Sequence, residues 1–399
     1  MSEYRTFTTE DAIRFADEHS DWFGEHSKLS CVKLGEDSLN LVFRVSNDKG
    51  RSLIVKQALP YAYCVGESWP LTIDRARIEA EVLLKHGKLC PDHTVEVLHY
   101  DVTQAAILTE DLKEYRMLRD ELVAAKQFPQ LANQLASYLA NTLYYTSDFA
   151  LTGPNKKQQV GRFLNADMCL ITEDLSFTDP YCNHERNNIA PELRQAAQQL
   201  WHDDALHSEV AQLKAGFLSK PQALLHGNLH SSSIFINDEH CKVIAAGFGF
   251  YGPIGFDVGN VLASLLLNYI GHFGLSQDAE HRQRHQNYLQ QQITTLWQQF
   301  DSSFKQLMAQ ECREPMLQNS GYQQRFITQL FADTLGYAGC ELVRRVVGMA
   351  HVADLEQISN KAARAECEQK VLKLGRQLIM QRRELANIEQ VLTMLHYLE

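Results

Sequence analysis

A chain of 399 residues is too long for one small core and suits two lobes. Its hydrophobic share of 45% and charged share of 22% are those of an ordinary globular protein, which sets aside the disordered and fibrous classes. A formal net charge of −11 argues against a general nucleic-acid binder, whose balance is usually basic.

The N-terminus is polar and acidic, unlike a signal peptide. Thr8-Thr9-Glu10-Asp11 opens an amphipathic stretch and predicts a short helix. Strand-like runs follow at 29–34, 39–46 and 52–58, the last two flanking the hairpin turn Asn47-Asp48-Lys49-Gly50. Residues 72–86 read as a helix, and 94–100 and 105–109 as two more strands. From about residue 125 the pattern is mainly helical, interrupted by strand-like runs at 223–225, 233–236 and 242–244, and helical again from 257 to the C-terminus. The longest apolar stretch, 261–270, is broken by Ser264 and Asn268 and is too short to cross a bilayer. The charged run at 361–385 alternates sign at helical spacing, as a solvated helix face does. With no repeat and no Pro- or Ser-rich linker, regions 1–111 and 112–399 are expected to meet at a hinge. Nine cysteines, odd in number and without a Cys-x-x-Cys pair, suit free thiols in a reducing cytoplasm. A soluble cytoplasmic protein is expected, with neither membrane nor nucleic acid as partner.

Strands, one helix and two strands, in that order, form the pattern of a kinase small lobe. A tight turn within 34–44 would let backbone N–H groups approach nucleotide phosphates. Lys56 ends the apolar run Ile54-Val55 and can reach phosphate oxygens, although in isolation an exposed edge lysine fits equally well. An apolar strand then runs into His226-Gly227-Asn228-Leu229-His230, the catalytic-loop shape of aminoglycoside-phosphotransferase-like kinases. His226 and His230 lack the glutamate of a zinc-binding HExxH helix and read as loop braces, and Trp69 reads as packing.

The segments VKQALPY (55–61), VGESWPLTIDRARIEA (65–80), TEDL (109–112), FGFYGPIGFDVG (248–259), GCELVRR (339–345) and GMAHVADL (348–355) are similar to those of bacterial methylthioribose kinases. The resemblance spans nearly the whole chain. It implies an α+β, two-lobed protein-kinase-like fold, with a small antiparallel-sheet N-lobe and a larger, mainly helical C-lobe. It further implies transfer of the ATP γ-phosphoryl group to methylthioribose in methionine salvage, with magnesium, by a homodimer. By the same resemblance Gly35 and Asn40 belong to the phosphate-side turn, and Lys56 is the phosphate-binding lysine, with Glu79 as its partner. Glu110, Asp111 and Leu112 form the hinge beside adenine, and Arg344 and Arg345 lie on the sugar side. Successive helix residues point about 100° apart, so one arginine is expected to face the ligand and the other a structural carboxylate.

The chemistry-bearing positions depart from the family. Asn228 replaces the aspartate of HGDLH, and a neutral amide cannot act as a base near pH 7. Ala245 and Gly247 replace the Asp-x-Glu expected to hold magnesium, which needs oxygen ligands. Asp37 replaces a glycine of the phosphate-side turn, Leu118 and Asp120 replace a tryptophan and a glycine in a loop expected near the nucleotide, and Ser232 replaces a glycine. The expectation is a pseudokinase that binds methylthioribose or its phosphate, or ATP or ADP, without normal turnover. The alternative is an active kinase in which Asp257, Glu36 or Asp37 substitutes for the lost carboxylates, although Asp257 already suits a structural role.

Overall fold

The computed structural model describes residues 3–24, 27–35, 39–63 and 66–398; Glu36, Asp37, Cys64 and Val65 lie outside them. Helix α1 (Thr9–Glu18) begins where the sequence signals it: Thr8 accepts from the Asp11 N–H while the Asp11 carboxylate accepts from the Thr8 N–H. Strands β1 (Leu29–Lys33), β2 (Asn40–Asn47) and β3 (Ser52–Ala58) pair antiparallel. The β2–β3 turn closes as expected, with Gly50 at φ 78° and the Asn47 side-chain oxygen accepting from the Lys49 and Arg51 N–H groups. A short hairpin, β4 (Tyr61–Ala62) and β5 (Gly66–Pro70), follows without a strand signal in the sequence. Helix α2 (Arg75–Leu89), β6 (Val97–Asp101) and β7 (Ala106–Glu110) complete a five-stranded sheet of order β1-β2-β3-β7-β6. Period-2 alternation divides its residues between two faces. Leu41, Phe43, Val45, Leu53 and Val55 pack with α1, while Val42, Ile54, Lys56 and Ile107 line a cleft.

The chain leaves this sheet at Glu110 and enters a second one through β8 (Arg116–Met117). Helices α3 (Leu118–Val123), α4 (Leu131–Tyr145), α5 (Gly153–Arg162), α6 (Ala166–Phe177), α7 (Arg194–Trp201) and α8 (Asp204–Ser219) follow. The short strands are β9 (Ala223–Leu224), β10 (Ile234–Ile236), β11 (Cys241–Val243) and β12 (Tyr251–Gly252); β9 pairs with β12, and β10 lies between β11 and β8. Helices α9 (Ile254–Leu275), α10 (Ala279–Glu311), α11 (Ser320–Val347), α12 (Ala353–Glu356), α13 (Lys361–Gln381) and α14 (Ile388–His396) form the rest. The result is the expected α+β arrangement of a small antiparallel sheet and a larger helical lobe.

One expectation changes. The apolar stretch at 261–270 is part of the 22-residue α9, which by length and composition is long enough to cross a membrane; it is buried from Ile254 to His272 and packs in the helical core. The charged run at 361–385 lies largely on α13, which has the expected solvated face and buries Val371, Leu374 and Leu378 on the other. The eight cysteines in the described residues are free.

Helix α2 belongs to the small sheet yet is tied to the helical lobe. Arg162 grips Glu81 with two hydrogen bonds of 2.7 and 2.8 Å, and Asp167 accepts from the Thr72 N–H at 3.1 Å. Trp69 and Leu71 pack with Met168, Ile171 and Phe248, the packing role expected of Trp69. His86 donates from Nε2 to the Leu224 carbonyl and accepts at Nδ1 from the Tyr138 hydroxyl, so α2, β9 and α4 share one buried contact.

Where α11 crosses α13 the backbones touch: a Cβ on Gly339 would lie 2.6 Å from the Gly375 carbonyl oxygen. Gly339→Ala is therefore expected to destabilise by about 1–3 kcal/mol through overpacking, read as a lower melting temperature or denaturant midpoint. The fold also buries neutral histidines. Burial pushes His86 to about 3, His226 to about 4 and His285 to about 3, while the unfolded chain protonates near the ordinary 6.5. Below pH 6.5 the unfolded state binds protons that the fold refuses, so stability falls from there towards pH 4. Asp257, raised by burial to about 7, has the opposite sign over about pH 4 to 7 and offsets part of this. Thermal melts are expected at lower temperature at pH 5 than at pH 7.5; equal midpoints would contradict the assignment.

Candidate active site

The cleft between the five-stranded sheet and the helical lobe contains a cavity of about 200 Å³. Leu34, Val42, Ile54, Ile107, Phe235 and Ile244 give it apolar walls above and below, a slot suited to a flat heterocycle. At its inner end Lys56 Nζ lies 2.9 Å from Glu79 Oε1, and both side chains are largely buried. The partnership expected between β3 and α2 is therefore formed.

Glu110, Asp111 and Leu112 lie along one edge of the cavity. The two carboxylates are already engaged. Glu110 is paired with Lys242 and accepts from the Glu96 N–H at 2.8 Å; Asp111 is held by Arg44 at 2.7 Å and by the Ser52 hydroxyl at 2.6 Å. Leu112 is buried. Gly35 follows the cavity-lining Leu34 directly, and Asn40 is buried at the start of β2; neither reaches the cavity wall.

The segment after β9 is fixed by its backbone. Asp257, in the first turn of α9, accepts from the N–H groups of His226 at 2.7 Å and Gly227 at 3.0 Å. His226 donates from Nε2 to the Ile244 carbonyl at 2.7 Å and accepts at Nδ1 from the Asn228 N–H, which sets its tautomer. Gly227 has φ 80°, and a Cβ there would sit 2.1 Å from the Phe248 carbonyl oxygen, so no larger residue fits. The Asn228 carbonyl accepts from the Ser233 hydroxyl; its side-chain amide has no partner among the described residues.

Ala245 lines the cavity and holds φ 64°, a left-handed conformation unusual for alanine and better suited to Asp, Asn or Gly. Two residues on, a Cβ built on Gly247 would come within 3.3 Å of Glu79 Oε2. Asn165 holds this stretch by donating to the carbonyls of Gly247 and Gly249, both at 3.0 Å. Neither residue has a side-chain oxygen. Among the described residues, no group of three or more His, Cys, Asp or Glu is placed to hold a metal ion. Asp257 is no substitute ligand: it is buried and both oxygens are spent on the loop. The described residues do not fit a magnesium site of the kind the sequence resemblance implies.

Arg344 and Arg345 end α11. The expected structural carboxylate is shared rather than taken by one arginine: both bind Glu341, Arg344 Nη1 at 3.1 Å and Arg345 Nε at 2.6 Å, because Glu341 is three and four residues earlier on the same helix. Burial pushes the Glu341 carboxyl up, but Arg345 and Arg344 outweigh it and hold it below the usual range.

Sequence reasoning missed Arg119. It is buried, donates to the Ser231 hydroxyl at 3.0 Å and pairs with Asp354 at 3.2 Å. Nothing local in the sequence announces it; only the docking of α3 against α12 brings it there. Its neighbours also correct an expectation. Leu118 is buried in the helical core and Asp120 is exposed on α3, so neither lines the cavity. Ser232 sits in the single turn after His230, whose Nδ1 accepts from its N–H.

No protein-family profile matches the chain. Curated relatives match it along its length. The methylthioribose kinase of Pectobacterium atrosepticum is 48% identical over 393 residues, covering 98% of each chain. That of Yersinia enterocolitica is likewise 48% identical with 98% coverage of both, and that of Yersinia pseudotuberculosis is 47% identical over 381 residues, 95% of this chain and 93% of its own. Solved structures are more distant. A choline kinase from Cryptosporidium parvum has TM-score 0.48 at 10% identity, covering 98% of this chain and 99% of that one. An aminoglycoside phosphotransferase from Alicyclobacillus acidocaldarius has TM-score 0.42 at 12% identity, covering 95% and 98%. Sequence identity near one half over the full length decides the matter: the chain belongs to the methylthioribose kinase family.

Proposed function

We propose that this chain is a pseudokinase of the family, which keeps the nucleotide slot and the sugar-side arginines but lacks normal phosphoryl transfer. The observation that carries the reading is the combination of an intact backbone frame with missing carboxylates. Asn228, Ala245 and Gly247 sit where the backbone is held by Asp257, His226 and Asn165, and among the described residues no group of three or more His, Cys, Asp or Glu is placed to hold a metal. ATP or ADP would lie with its base in the apolar slot along Glu110–Leu112 and its phosphates towards Lys56. The Asn228 amide can orient a hydroxyl but cannot take its proton. Losing the base costs on the order of 10²–10⁴ in rate, and losing the metal's charge stabilisation several kcal/mol more. Family membership further supports lobes at 1–111 and 112–399, a homodimer, a cytoplasmic setting and an ancestry in methionine salvage.

A working kinase with substitute ligands has one observation in its favour. Glu79 Oε2 faces the position of Gly247, while its other oxygen remains on Lys56. Glu36 and Asp37, the other candidates, lie outside the described residues.

The deciding experiment is an ATP-plus-methylthioribose assay with magnesium. It is run on this chain and on a variant carrying Asn228→Asp, Ala245→Asp and Gly247→Glu. The left-handed backbone at 245 accepts aspartate readily, and the glutamate at 247 needs Glu79 to shift by a few tenths of an ångström. The native chain is expected to turn over at least about 10²-fold more slowly than the restored variant. Native turnover near the median enzyme rate of about 10 s⁻¹ would favour the working kinase.

A further inference from the structure

Away from the cleft, a second cavity of about 680 Å³ opens between α10, α11 and the turn that joins α13 to α14. Part of its lining is apolar: Trp297, Ile327 and Phe331 are buried, with the Trp297 and Phe331 ring centroids 4.5 Å apart. Two charged residues of the same lining each keep one atom without a hydrogen bond among the described residues. Asp301, on α10, spends Oδ2 on Lys305 at 2.7 Å, and its Oδ1 is buried without a partner. Arg382, just past α13, is buried; its Nη1 donates to the Ile379 carbonyl at 2.9 Å and pairs with Glu209, while its Nε has no partner. Glu209 also binds Arg383 at 2.9 Å, so two guanidinium groups share one carboxylate. The unpaired acceptor and the unpaired donor come from different elements and do not meet each other. A buried polar atom left without a hydrogen bond is costly, so both favour a ligand that supplies the missing half of each bond. A simple anion would serve Arg382 alone, a simple cation Asp301 alone, and an apolar molecule neither.

We propose that this cavity binds a free amino acid with a large apolar side chain. The α-ammonium donates to Asp301, the α-carboxylate accepts from Arg382, and the side chain lies on Trp297, Ile327 and Phe331. Charge-assisted hydrogen bonds of this kind fix orientation, and the apolar lining selects the side chain. None of these residues lines the cleft cavity, so the proposal stands apart from the question of phosphoryl transfer.

The test is calorimetric titration of the full chain, without nucleotide, with L-phenylalanine, L-methionine and glycine. Two analogues complete the set: phenethylamine, which lacks the carboxylate, and 3-phenylpropionate, which lacks the ammonium. L-Phenylalanine is expected to bind at least about tenfold more tightly than either analogue, because each leaves one buried group unpaired. Glycine, with nothing to lay on the apolar lining, is expected to bind more weakly than L-phenylalanine and L-methionine. The near-isosteric Asp301→Asn should weaken L-phenylalanine about tenfold and leave 3-phenylpropionate unchanged within about twofold. Arg382→Lys should weaken L-phenylalanine more than phenethylamine; where that variant fails to fold, the phenethylamine comparison on the native chain tests the same contact. Absence of binding by both apolar amino acids at millimolar concentration would overturn the proposal. So would equal binding of the two singly charged analogues and L-phenylalanine, or an affinity indifferent to Asp301→Asn.

Discussion

Asp257 anchors the whole site. It is buried in the first turn of α9, where the helix N-terminus favours negative charge, and it accepts the two successive N–H groups of His226 and Gly227. Burial pushes its carboxyl up to about 7, against those two hydrogen bonds. From this fixed point the loop is braced twice more, by His226 on the Ile244 carbonyl and by Gly227 packed directly under Phe248. The loop and the stretch at 244–249 thus fold as one unit whose shape is set by backbone contacts. The side chains at 228, 245 and 247 are not part of these braces.

The same division runs across the cleft. Around the cavity, charge is balanced pair by pair: Lys56 with Glu79, Lys242 with Glu110, Arg44 with Asp111. These pairs hold strands β2 and β3, helix α2 and strand β11 around the cavity whether or not chemistry follows. At positions 228, 245 and 247 no side chain carries a carboxylate. Near the loop after β9, Arg119, Arg344 and Arg345 are buried enough that solvent screens them weakly. In a chain of net charge −11, this is a local reversal of sign.

Much of the frame was legible in the sequence. The β2–β3 hairpin could be read because alternation and an Asn-x-x-Gly turn agree, and α1 because Thr8 and Asp11 cap it reciprocally. The Lys56–Glu79 pair followed from family resemblance. Three features were not legible. The β4–β5 hairpin has strands of two and five residues, too short for periodicity to speak. The length of α9 was hidden because Ser264 and Asn268, which break its apolar stretch, are satisfied internally, by the Ser231 N–H and by Asp354 and His285, rather than by solvent. Arg119 and the shared Glu341 depend on how α3, α11 and α12 meet, which no local pattern encodes.

The central claim is that the phosphate side of the cleft cannot use a divalent cation, and ATP affinity measured with and without magnesium tests it most directly. In a working kinase the metal bridges the β- and γ-phosphates and the protein's carboxylates, so affinity rises with it. Calorimetry on the native chain should give ATP dissociation constants that agree within about twofold with and without magnesium, since residues 245 and 247 offer no ligand oxygen. A gain of about tenfold or more on adding magnesium would show a functioning ligand set and contradict the account.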